Sequence, residues 1–241
     1  MAERVATAAA NCRRMPDAMS YEHGASFLAT YGTAYHALEQ RGRLRPGETL
    51  LVLGAGGGMG LACVELGRAM GARVIAAASS QEKVNLALSL GAADGIVYPA
   101  AAEDPESRKQ LAGLFKAAAG EGGVDVVCDN VGGPYSEAAL RSIAWGGRFL
   151  VIGFPSGIPA IPLNLPLLKG CQIVGVLYGL FAQREPEANE ANIERLMALY
   201  AAGEIRPHVS VSYPLEQAGA AIAELVNRTA QGKIVVTPNG G

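Results

Sequence analysis

The chain has 241 residues, half of them hydrophobic, which is enough to bury a sizeable core in one domain or two. Charge is close to balance, 20 Lys and Arg against 22 Asp and Glu, and no basic block suggests a nucleic-acid or membrane surface. Cys12, Cys63, Cys128 and Cys171 lie far apart, with no C-x-x-C pair and no histidine at ligand spacing. That pattern predicts reduced thiols, no metal site and a cytoplasmic protein.

The first residues lack the continuous apolar core of a signal peptide. The stretch Gly170–Ala182 is too short and too interrupted to span a bilayer. In chain order, a helix pair is predicted around Ser20–Gln40, then a strand at Thr49–Leu53. Met59, Ala62, Leu66, Ala69 and Met70 recur at spacings of three and four, a helix face. A strand at Arg73–Ala78 follows, then a helix through Val84, Ala87 and Leu88 that ends before Gly91. Further strands are predicted at Gly95–Tyr98, Val124–Cys128, Arg148–Ile152 and Gln172–Val176. Ile193, Leu196, Met197 and Tyr200 mark a helix after Pro186, and Leu215, Ala218, Ile222, Leu225 and Val226 another, before a last strand at Lys233–Thr237. Near-continuous apolar strands alternating with helices predict an α/β fold with a doubly wound parallel sheet.

The most informative segment is T-L-L-V-L-G-A-G-G-G-M-G, Thr49 to Gly60, a strand running into a glycine turn and a helix. The spacing is G-x-x-G-x-x-G through Gly54, Gly57 and Gly60; strict G-x-G-x-x-G fails because its last position is Met59. Alone, such a turn can be a tight loop and nothing more. Between two strands at βαβ spacing it predicts a dinucleotide site, with the pyrophosphate on the amides of Gly57 and Gly58 and Gly60 allowing close helix packing. The second strand ends Ala78-Ser79-Ser80 and has no acid before Glu82, so no carboxylate waits for a ribose 2′-hydroxyl. Ser79, Ser80 and Lys83 can instead donate to a 2′-phosphate, which predicts NADPH, although Lys83 also reads as an ordinary solvated helix-face lysine.

The segment Gly47–Arg68, with Tyr31–Leu38 (Y-G-T-A-Y-H-A-L), Cys128–Gly133 (C-D-N-V-G-G), Gly147–Phe154 (G-R-F-L-V-I-G-F), Ile173–Val176 (I-V-G-V) and Gly232–Val236 (G-K-I-V-V), resembles the quinone oxidoreductase (zeta-crystallin-like) family of zinc-independent medium-chain dehydrogenases/reductases. One departure is Glu65, where the pattern usually has Gln. The resemblance spans essentially the whole chain and implies a Rossmann domain at 41–180. It implies remnants of a GroES-like catalytic domain at both ends, 1–40 and 181–241, in a chain shortened at its N-terminus. It implies NADPH-dependent hydride transfer to a quinone or α,β-unsaturated carbonyl, and a homodimer paired through the edge strand near Gln172–Val176.

By position in the family's motifs, Lys83 falls on the 2′-phosphate lysine and Tyr98 on a tyrosine at the adenine end. Asn130, Val131, Gly153, Phe154, Gly175 and Val176 fall on strand ends near the nicotinamide half, and Thr33 on a threonine by its ribose. Read from the residues alone, Tyr98 is also a strand-end aromatic, Asn130 an Asx-turn residue and Thr33 a helix-internal hydroxyl. No catalytic side chain is identifiable. A nucleotide-binding module without turnover is the main alternative, and single-stranded nucleic-acid binding a minor one, given balanced charge and few aromatics.

Overall fold

The computed structural model describes residues 1–99, 104–227 and 229–238. Six parallel strands form the main sheet: β1 (Thr49–Leu53), β2 (Arg73–Ala78), β3 (Asp94–Val97), β4 (Val124–Asp129), β5 (Ile143–Val151) and β6 (Gln172–Gly175). Their spatial order is β3-β2-β1-β4-β5-β6, so the topology reverses between β1 and β4. This is the Rossmann arrangement, in which a crevice opens beyond the strand ends where neighbouring crossovers diverge.

Side-chain alternation along β1 builds two cores. Leu50 and Val52 face a layer made by α1 (Tyr21–His36), α2 (Gly58–Ala69), α3 (Gln81–Ser89) and α8 (Pro186–Ala201). Leu51 and Leu53 face the other layer, α4 (Pro105–Ala119), α5 (Pro134–Arg141) and α6 (Asn164–Lys169). β1 is buried throughout apart from its first residue. That double burial explains its unbroken apolar sequence. A short α7 (Tyr178–Arg184) leads from β6 into α8.

Several expectations are corrected. The predicted helix pair around Ser20–Gln40 is one helix, capped by the Ser20 hydroxyl, whose last turn widens into a π turn at Ala37–Arg41. Apolar spacing does not distinguish a break from a bulge. β5 starts at Ile143 rather than Arg148, because Val124 pairs with Ile143 before the register shifts. β3 and β4 differ from expectation by one residue at their ends.

At the C-terminal side, β7 (Val209–Pro214) and β8 (Lys233–Thr237) form a separate parallel pair, crossed over by α9 (Ala218–Val226). This unit reaches the main sheet through a bridge between Gly57 and Gly232.

Candidate functional site

The turn after β1 is closed by its own backbone. Gly54 has φ +69°, a left-handed conformation that favours glycine, and its carbonyl accepts the Gly57 N–H at 3.1 Å. A Cβ at Gly60 would lie 2.1 Å from the Gly54 carbonyl oxygen and 2.6 Å from the Ala55 Cα. Only glycine lets α2 start so close to the strand. Gly57 caps α2 in an extended conformation with no side-chain cap. The first amides of α2 and its positive dipole end are therefore left without a side-chain cap.

In front of the turn lies a cleft of about 520 Å³, lined by Gly54, Gly56, Gly57, Ala78, Ser79, Lys83, Tyr98, Asn130, Val131, Tyr135, Pro155, Ser156, Leu225 and Ala230. The Lys83 stem lies against Gly56, where a Cβ would meet the Lys83 Cβ at 2.5 Å. Glycine at 56 thus makes room for the lysine. Tyr98 and Tyr135 stand together, ring centroids 4.8 Å apart, and the Tyr135 hydroxyl donates to the Pro99 carbonyl.

Asp129, at the end of β4, shapes the opposite wall. Its buried carboxylate accepts the Val131 and Gly132 N–H groups at 2.9 and 2.8 Å and the Ser136 hydroxyl. Burial pushes its pKa up, and those three bonds only partly offset it. Next to it, Asn130 donates from Nδ2 to the Leu53 carbonyl at 3.2 Å, while its Oδ1 is buried with no hydrogen-bond partner among the described residues. An orphaned acceptor lining a cleft is a place for a ligand donor. Uncapped amides at α2, a lysine in the first turn of α3 beyond β2 and this unpaired acceptor fit the diphosphate, 2′-phosphate and amide ends of a nicotinamide dinucleotide.

The third wall comes from the far side of the sequence. The Gly232 N–H donates to the Gly56 carbonyl at 2.9 Å. Gly232 has φ +72°, and a Cβ there would sit 2.4 Å from the His208 carbonyl oxygen. The Lys233 stem covers Gly58, and its ammonium donates to the Thr30 hydroxyl at 3.2 Å. Burial pulls the Lys233 pKa down.

Of the residues predicted from sequence, Gly54, Gly57, Ser79, Lys83, Tyr98, Asn130 and Val131 line this cleft. Gly58, Met59 and Gly60 form the first turn of α2 behind it. Ser80 instead caps α3, accepting the Lys83 N–H through its hydroxyl. The Thr33 hydroxyl donates to the Ala29 carbonyl within α1. Gly153 and Phe154 precede the lining pair Pro155 and Ser156, the Gly153 N–H donating to Asp129. Gly175 and Val176 lie by the sheet edge, where the Gly175 carbonyl accepts Nε of Arg41 and the Val176 N–H donates to Val151. Sequence reasoning missed Gly56, Tyr135, Pro155, Ser156, Leu225, Ala230 and Lys233. The G-K-I-V-V motif was the one available signal for the last of these.

The profile of the zinc-binding dehydrogenase family matches residues 58–195, more than half of the sequence. This chain belongs to that family. Among the proteins it matches are several named quinone oxidoreductase or quinone oxidoreductase-like, the group its motifs resemble. It is 36% identical over 239 residues to quinone oxidoreductase-like protein 2 of Bos taurus, covering 98% of this chain and 66% of the bovine protein. To quinone oxidoreductase of Rattus norvegicus it is 31% identical over 224 residues, 92% of this chain and 64% of the rat protein. The chain thus spans about two-thirds of the length of these curated relatives. Among solved structures, it resembles the quinone oxidoreductase of Thermus thermophilus, studied also in complex with NADPH (TM-score 0.76, 36% identity, 92% of this chain and 68% of that one). It also resembles Escherichia coli quinone oxidoreductase complexed with NADPH (TM-score 0.82, 27% identity, 93% and 67%).

Family membership does not bring a visible metal centre. Among the described residues, no group of three or more His, Cys, Asp and Glu side chains could hold a metal ion. Likewise, no helix among them is long and apolar enough to cross a membrane.

Proposed function

We propose that this chain binds NADPH in the cleft at the end of β1 and serves the reduction of a quinone or an α,β-unsaturated carbonyl. The carrying observation is the pairing of an uncapped α2 start, closed by Gly54 and Gly60, with Lys83 of α3 lying over Gly56. The NADPH complexes of the Thermus and Escherichia relatives support the same reading.

The residues divide the work. The first amides of α2 hold the diphosphate, and Lys83 with Ser79 holds the 2′-phosphate. Tyr98 and Tyr135 offer aromatic faces to the adenine end. Asn130 accepts a hydrogen bond at its Oδ1, and Lys233 adds positive charge over the start of α2. When bound, the reduced nicotinamide supplies a hydride from its C4 to an electron-poor acceptor. No side chain of this chain is assigned as proton donor, and no metal takes part in the proposal. Residues 1–40 and 181–241 are read as connecting helices that cover the Rossmann sheet, α1 and α8, together with elements of a catalytic domain. The exposed edge strand β6, with Ile173 42% exposed, is read as the pairing edge of a homodimer, since a bare apolar edge invites association.

Parallel calorimetric titrations with NADPH and NADH test the binding step. In Lys83→Ala, NADPH affinity falls on the order of tenfold to a hundredfold, the worth of a charge-assisted contact, while NADH affinity changes little. Equal losses for both would refute the 2′-phosphate role. NADPH consumption with 1,4-benzoquinone tests turnover. One second reading is a nucleotide-binding module without turnover, since no side chain of the cleft is assigned as proton donor. Tight NADPH binding with no consumption above the enzyme-free blank would select it.

A further inference from the structure

A second concavity, of about 470 Å³, runs along the free edge of β6, lined there by Gln172–Gly175, to Glu48 just ahead of β1, so a homodimer paired through β6 would place it at the subunit seam. Its wall is the segment R-G-R-L-R, residues 41–45. Arg41, Arg43 and Arg45 are exposed while Gly42 and Leu44 between them are buried, so three guanidinium groups are presented together. Arg43 achieves this at φ +47°, the one positive φ outside glycine among the described residues. Such a conformation costs about 1–2 kcal/mol, and strain of this kind gathers at ligand sites.

The floor is Arg148, which grips both oxygens of Glu48 at 3.0 and 2.6 Å and also donates to the Gly42 and Arg43 carbonyls. Glu48 is thereby neutralised, and three arginines remain in excess over acids in the lining. Arg41 is tethered through Nε to the Gly175 carbonyl at 2.9 Å. The Arg43 guanidinium has no hydrogen bond or ion pair among the described residues.

We propose that this arginine basin binds a compact, multiply charged phosphate-class oxyanion, at a site separate from the nucleotide cleft. Planar guanidinium forks match phosphate oxygens pairwise, and the volume is in the range of small-ligand sites. The site does not depend on the nucleotide reading, since none of its lining residues lines the cleft.

Inorganic pyrophosphate titrated into the full chain, followed by amide shifts in ¹H–¹⁵N spectra, tests it residue by residue. Saturable shifts at Arg41–Glu48 are expected, distinct from any at Gly54–Gly60. In the double variant Arg43→Gly, Arg45→Gln the affinity read at 41–48 falls roughly tenfold or more, with the 54–60 response unchanged. Glycine at 43 accepts the positive φ, so the variant keeps its fold. Silence at 41–48, or a double variant that responds like the original chain, overturns the proposal. Silence confined to 54–60 would instead count against the nucleotide cleft.

Discussion

Replacing Glu65 by Gln isolates the electrostatics of one buried carboxyl. Glu65, on α2, is 4% exposed and accepts the hydroxyl of Tyr31 from α1 and, at 3.0 Å, the Arg206 N–H. Burial raises its pKa more than Tyr31, the Arg206 amide and the Arg68 charge lower it. A folded-state pKa above the unfolded value means that the native chain holds the proton more tightly. The stability this contributes is fully present below the unfolded value, about 4.3, and is lost as pH rises through the folded value. Glutamine does not titrate. The stability of Glu65→Gln relative to the original chain therefore increases with pH above about 4.3, at no more than about 1.4 kcal/mol per pH unit, and levels off above the folded pKa. For a chain of this size that slope is roughly 3–5 °C in Tm per pH unit. Thermal denaturation of both proteins from pH 4 to pH 8 measures it. A Tm difference that is flat, or that shrinks with rising pH, would refute the burial argument, whatever its absolute sign at pH 7.

Gly60→Ala forces a methyl against the Gly54 carbonyl oxygen, and we expect a loss of about 1–3 kcal/mol in chemical denaturation together with weakened NADPH binding, because the turn must open. Unchanged stability would show that α2 shifts freely. Lys233→Met should separate folding from binding: removing a cation whose pKa burial depresses leaves the Tm unchanged or higher, while NADPH affinity in calorimetry falls several-fold. Arg148→Ala leaves Glu48 half-buried without its fork and costs about 2–3 kcal/mol near neutral pH. Burial opposes the charge on Glu48, but the Arg148 bonds and the Arg45 N–H outweigh it and hold its pKa low. That stabilisation exists above the unfolded carboxylate value and fades as pH falls, so the acid limb of the variant's stability profile is shallower.

The legible parts of the fold were those where a local pattern and the tertiary environment agree. β1, the glycine turn, α2 and β2 were readable because both faces of β1 are buried and the turn requires glycine at 54 and 60. α4 and α5 escaped notice: α4 buries only Leu111, Ala112 and Phe115 along its 15 residues, and α5 is eight residues long. The site was legible where it follows strand ends directly, as at Ser79, Tyr98 and Asn130. Tyr135, Pro155 and Ser156 lie a few residues beyond the ends of β4 and β5, and only the three-dimensional course of those turns brings them to the cleft. Leu225, Ala230 and Lys233 come from a unit more than 160 residues from the glycine turn. Gly175 was expected beside the nicotinamide, yet its carbonyl serves Arg41, a partner no spacing rule would suggest.

The rung between Gly57 and Gly232 makes two remote stretches of polypeptide share one fate. Whatever quiets the turn must also quiet the β7–β8 ribbon, because neither can swing away without breaking the Gly232–Gly56 hydrogen bond. A nucleotide settling on α2 would then be felt as slower amide exchange at Ile234–Val236, residues it need never touch.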